Sequence, residues 1–166
     1  MVAVVLIALG LAACSSSGVA ATTTTTIAPT TTTLPSLRTS KTAIDQAYTV
    51  LFDLANPALA PKIAVIQNGS ALESAMSAAL KSALAKLATG AAVSAVTLEE
   101  GAACKGEFLP SPCAKVTYSI VGTGNKVLLG NSVGFAIFQH SRWLVSKGTI
   151  CTLLSLENGG KQPPGC

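Results

Sequence analysis

The chain has 166 residues, 49% hydrophobic and 11% charged, with a formal charge of +4. That is enough chain for one domain and its core. The cations are scattered, without the basic patch and interleaved aromatics of a nucleic-acid binder, so nucleic acid is not an expected partner.

Met1 to Ala13 reads MVAVVLIALGLAA, and no charge occurs before Arg38. The run is too short for a membrane span, which takes about 20 apolar residues. It has the length and small-residue end of a signal-peptide core, without the usual positive residues before it. Residues 1–13 are therefore expected to be a signal peptide whose true start lies further upstream. Leu11-Ala12-Ala13-Cys14 resembles the bacterial lipobox. That resemblance implies cleavage before Cys14 and a diacylglycerol thioether on its sulfur. Two acyl chains, each contributing about 0.8 kcal/mol per buried CH2, anchor a protein stably to a membrane. The implied location is the extracytoplasmic face of a bacterial cell membrane.

Residues 14–39 follow as a stalk rich in Thr, Ser and Pro, with Thr runs at 22–26 and 30–33. Such a segment has too little apolar surface to offset ordering entropy, so disorder is expected. Its composition also suits O-glycosylation. As a flexible coil it would reach roughly 25 Å from its anchor.

The folded domain is expected over residues 40–166. Ser40 is a candidate cap for a helix over 41–55, with Ile44, Ala47, Tyr48, Leu51 and Ala55 on one face. Asp45, Thr49 and Asp53 fall opposite, and Asn56-Pro57 ends the helix. A short second helix is predicted over 60–67, stopping at Asn68-Gly69. Ser70-Ala71-Leu72-Glu73 has the capping-box pattern for a third helix, bearing Leu72, Met76, Leu80, Leu84 and Leu87 and ending at Gly90.

The period then changes from helical to alternating. Residues 91–99 read as a strand. In 114–121, Val116, Tyr118 and Ile120 alternate with Lys115, Thr117 and Ser119. Gly122 to Asn125 is a turn, and 126–139 a long strand with Gly130 as a candidate bulge. Gln139 to Arg142 turns again, and 142–147 is a strand with Trp143 and Val145 inward. Residues 148–158 close as a short helix. Helices followed by an antiparallel meander give an α+β fold, with helices packed on one face of a curved four-stranded sheet.

Five cysteines are odd in number. Giving Cys14 to lipid leaves Cys104, Cys113, Cys151 and Cys166, which an exporting compartment would oxidise to two disulfides. Three connectivities are possible. Nearest-neighbour pairing, 104 with 113 and 151 with 166, suits the Gly- and Pro-bearing segments that each pair would close. A zinc site is the alternative, but these spacings lack the tight ligand pairs that zinc favours, and His140 falls in a turn.

The segment from Ser132 to Gly160, together with Leu51 to Pro57, resembles the C-terminal domain of the mycobacterial low-molecular-weight secreted antigen family. Trp143, Ser146 and Lys147 fall on its strand-to-helix motif, and Leu54-Ala55-Asn56-Pro57 on its helix end. The resemblance implies a cone-shaped cystatin-like fold, related to nuclear-transport-factor-2-like domains, in an exported envelope protein without established chemistry. The four domain cysteines and the lipobox depart from the family pattern.

Cones of this kind can hold a pocket between helix and sheet. Proton transfer there would need a carboxylate base in an apolar cavity with an acid facing it. Asp53 and Tyr118 are the one tempting pair. Asp53 falls on the solvent face of its helix and Tyr118 on the core face, so no catalytic set converges. Glu99 and Glu100 read as a solvated strand end. The Gly122-Thr123-Gly124 turn lacks the following helix that a phosphate loop requires. The expectation is a non-catalytic binding or scaffold domain without cofactor or metal, meeting a membrane through Cys14 and, in its pocket or on its surface, a lipophilic ligand or an envelope protein.

Overall fold

The computed structural model describes residues 36–100, 104 and 112–166. The expected signal peptide, the lipid site Cys14 and most of the stalk lie outside these residues. The described part is α+β, as the change of period predicts. Helix α1 spans Leu37–Phe52. Short helices α2 (Leu59–Ala64), α3 (Glu73–Ala79) and α4 (Ala83–Leu87) follow. Strands β1 (Ala88–Glu99), β2 (Cys113–Gly122), β3 (Val127–Gln139) and β4 (Arg142–Val145) form one antiparallel sheet in chain order. Helix α5 (Lys147–Glu157) closes the fold.

Helix α1 forms because Ile44, Ala47, Tyr48 and Leu51 make one buried stripe. Burying each large member is worth about 1.5–3 kcal/mol. Its cap is Ser36, whose hydroxyl accepts from the Thr39 N–H, and not Ser40. Ser40 is fully buried a turn inside the helix. The helix also ends at Phe52, three residues before the expected Ala55, which is exposed. A lysine supplies the reason. Lys62 of α2 is buried and donates from Nζ to the Val50 and Asp53 carbonyls, so it takes up orphan acceptors at the helix end.

The predicted helix over 70–90 is in three pieces. The Ser70–Glu73 capping box does not form: Gly69–Leu72 is a 3-10 turn, and Leu72, without a capping side chain, precedes α3. Ser82 restarts the chain by accepting from the Ala85 N–H, beginning α4. Gly90 then lies inside β1 rather than at a helix end. Tertiary packing overrides the helical spacing here, because α4 has no buried residue to hold a longer rod. Helix α2 stops at Ala64 rather than 67, because Ile66 makes a parallel bridge to Val145 along the edge of β4.

The sheet curls into a half-barrel. Register shifts interrupt β1 between Ala88 and Gly90 and between Val93 and Ala95. A third interrupts β3 where Gly130 and Asn131 face Ser119, and Asn131 takes φ 51° there. This is the expected bulge at Gly130, and bulges bend and twist a strand. Val116, Tyr118 and Ile120 line the concave face with Trp143 and Val145. The two-residue turn His140-Ser141 has both φ values positive (51° and 61°), as a tight hairpin between right-twisted strands needs. The strand expected over 142–147 ends at Val145, since Ser146 turns the chain and caps α5 by accepting from the Thr149 N–H.

Two disulfides, Cys104–Cys113 and Cys151–Cys166, join the four domain cysteines in the nearest-neighbour pattern. The first packs with Ile137 and Leu144 as a separate cluster. The β2–β3–β4 register places that cluster on the convex face.

Candidate functional site

Between α1 and the middle of the sheet the space is filled. Tyr48 and Tyr118 have ring centroids 5.0 Å apart, and Phe52 stacks 5.7 Å from Tyr118. The Tyr48 hydroxyl donates to the Phe135 carbonyl at 3.4 Å. Beside it, Thr149 Oγ1 accepts from the Phe135 N–H at 2.7 Å and shares a hydrogen bond with Ser146 Oγ at 2.8 Å. Gly134 permits this junction, because a Cβ there would fall 2.7 Å from both the Tyr48 hydroxyl and a Thr149 methyl. Burial pushes the Tyr118 phenol up to about 12. Burial raises the Tyr48 phenol further, with Tyr118 adding to the rise and the Thr149 hydrogen bond opposing it.

The sequence-derived pair separates accordingly. Tyr118 belongs to this aromatic cluster, whereas Asp53 is the half-exposed residue that ends α1, its carbonyl engaged by Lys62. Among the described residues no Asp or Glu is buried, so the interior offers no carboxylate base. His140 stands in its hairpin turn, and no group of three metal-ligating side chains occurs among the described residues. Trp143, Ser146 and Lys147 occupy a strand-to-helix corner, pinned by Gln67, whose side-chain oxygen accepts from the Lys147 N–H at 3.0 Å.

One open space lies beyond the end of α1. A pocket of about 60 Å3 lies among α1, α3, α4 and α5, lined by Phe52, Met76, Leu80, Leu84, Ile120 and Leu153. It results from the broken third helix, whose short pieces cover the core less completely than one rod would. Glu157 is the sole charged residue of its lining, and accepts from the Ser82 hydroxyl at 3.2 Å. Partial desolvation raises its carboxyl pKa, against the lowering effect of that hydrogen bond. An apolar cavity of about 150 Å3 admits benzene. The smaller space suits the end of an alkyl chain or one edge of a ring.

No family model, curated protein or solved structure matches this chain. Sequence reading missed Lys62, Gln67, Ser82 and Glu157. Ser82 alone carried a local signal, a hydroxyl residue ahead of a short run of helix formers. The other three take their roles from partners 9 to 80 positions away.

Proposed function

We propose that this protein is an exported, lipid-anchored envelope protein that displays a small non-catalytic α+β domain for binding or scaffolding. One observation carries the reading. The four domain cysteines are joined in two pairs, so of the five in the sequence only Cys14, at the end of the lipobox-like Leu11-Ala12-Ala13, lies outside those bonds. Disulfides belong to oxidising compartments, which agrees with an exported chain. The likeness to the secreted antigen domain, through Trp143, Ser146 and Lys147, points to the same location.

Cys14→Ser decides the anchor. Expressed in a mycobacterium, the unaltered protein should partition into the membrane fraction and lose its signal on processing. The variant should remain unprocessed or appear in the soluble fraction. Normal processing and membrane retention of the variant would sink the reading.

The apolar pocket beyond α1 favours a second reading, in which the domain carries the tip of a lipophilic ligand. Native mass spectrometry of the protein should then find a bound amphiphile that Leu84→Trp expels. Recovery of ligand-free protein from its native membrane would count against that role.

A further inference from the structure

On the other side of α1 lies a depression of about 350 Å3, lined by Thr39, Gln46, Phe138, Ser141, Arg142 and Trp143, among others. It shares Thr39, Ala43 and Gln46 with a shallower hollow that also reaches Arg38. Three features set this surface apart from the rest of the molecule. It gathers both arginines of the chain, Arg38 and Arg142. No Asp or Glu lines either hollow, and neither arginine forms an ion pair among the described residues. The ion pair on α1 joins Lys41 to Asp45 Oδ2 at 2.7 Å, and the Asp45 Oδ1 has no hydrogen-bond partner among the described residues.

The third feature is the indole. Trp143 is only 5% exposed, yet its Nε1 is a buried donor with no acceptor among the described residues. A buried indole N–H ordinarily finds a partner, and lacking one is costly. Trp143 also lies 5.4 Å from Phe138, centroid to centroid, and both rings border the depression.

We propose that this depression binds a small organic anion with an aromatic or similarly flat apolar body. The body lies against Phe138 and Trp143. Its carboxylate is held by Arg142, with Arg38 adding long-range attraction. Guanidinium suits this role because its planar fork matches a carboxylate and keeps its charge at any physiological pH. The preceding chain is a poor occupant, since its first 37 residues contain no acid to meet the arginines. This site is separate from the apolar pocket beyond α1 and does not depend on the lipid anchor.

The chain has one tryptophan, so the 15N-labelled full chain gives one indole N–H resonance that reports on the site. Sodium 2-naphthoate should shift that resonance saturably. Its neutral counterpart, 2-naphthylmethanol, should bind at least about tenfold more weakly, the size expected for losing a charge-assisted contact. Arg142→Gln, an exposed substitution that leaves the fold intact, should abolish that preference. Arg38→Gln should weaken naphthoate less, by an amount that salt removes. An unmoved indole resonance, equal binding of acid and alcohol, or a preference that survives Arg142→Gln would each overturn the proposal.

Discussion

The two ends of the space under α1 contrast sharply. At the sheet side, Tyr48, Phe52 and Tyr118 pack ring on ring, Gly134 lets the layers close, and Ser146 and Thr149 satisfy one another. At the far side, three short helical pieces leave a pocket lined by flexible Leu and Met side chains. Close packing and room for a ligand are alternatives at any one place. This fold therefore keeps a rigid centre and leaves openness to its margins.

Breaking the closed end should cost most. Tyr118→Ala removes a ring that is 1% exposed and should destabilise the domain by about 3–5 kcal/mol in denaturant unfolding. A loss under about 1 kcal/mol would mean that the centre is as loose as the margin. Removing the Cys151–Cys166 bond by a double substitution to Ser frees a separation of 15 residues. The chain-entropy relation gives about 3 kcal/mol for such a loop, and the thermal midpoint of the oxidised protein should fall accordingly.

The closed end should also show in its titration. The chain has two tyrosines, and burial raises both. Absorbance near 295 nm should show no phenolate at the ordinary value of 10, with ionisation only as pH approaches and passes about 12. The folded phenols hold their protons more tightly than the unfolded ones, so stability is complete below the ordinary value and falls as pH rises above it. A normal tyrosine titration in the folded protein would contradict the packing described.

The open end should respond in the opposite sense. Ala79→Leu directs extra volume toward the pocket and should stabilise by about 0.5–2 kcal/mol, as cavity-filling changes do. The same enlargement at Gly134 should destabilise. The smallest effect belongs to Glu157→Gln. Because its carboxyl is raised in the folded state, the native charge costs stability as pH rises through that range. The variant should be equal to the parent in acid and slightly more stable at neutral pH, within about 0.5 kcal/mol. A clear loss at neutral pH would mean that the charge has a partner that matters more than its desolvation.

The fold was legible where side-chain period and burial agree. The stripe Ile44-Ala47-Tyr48-Leu51 and the alternation Val116-Tyr118-Ile120 each specify one face, so α1 and β2 follow directly. The bulge at Gly130 was legible because no side chain resists the irregular pairing there. The third helix was not, because its apolar spacing is genuine while its cover is poor: Leu87 keeps 61% of its surface exposed. Its Ser-x-x-Glu pattern also fits a 3-10 entry as readily as a cap. The site was the least legible part. Lys62 reads in sequence as one more scattered cation, and only the ends of α1 and α2 brought together show that it serves the helix terminus. Burial lowers its pKa, with Asp53 opposing that shift. The depression at Trp143 joins α1 to the hairpin turn some 100 positions later, a proximity that no local pattern encodes.

The interruptions in β1 affect how copies of this domain behave at high concentration. One edge of β1 pairs with β2; the opposite edge has no strand partner among the described residues, whereas β4 is shielded by Ile66. A straight edge of 12 residues would offer neighbouring molecules a continuous row of peptide groups. Shifts near Thr89 and Ser94 divide that row into lengths of a few residues. Each length is too short to seed a lasting intermolecular ladder. The same irregularities that curl the sheet around α1 thereby help keep concentrated copies apart.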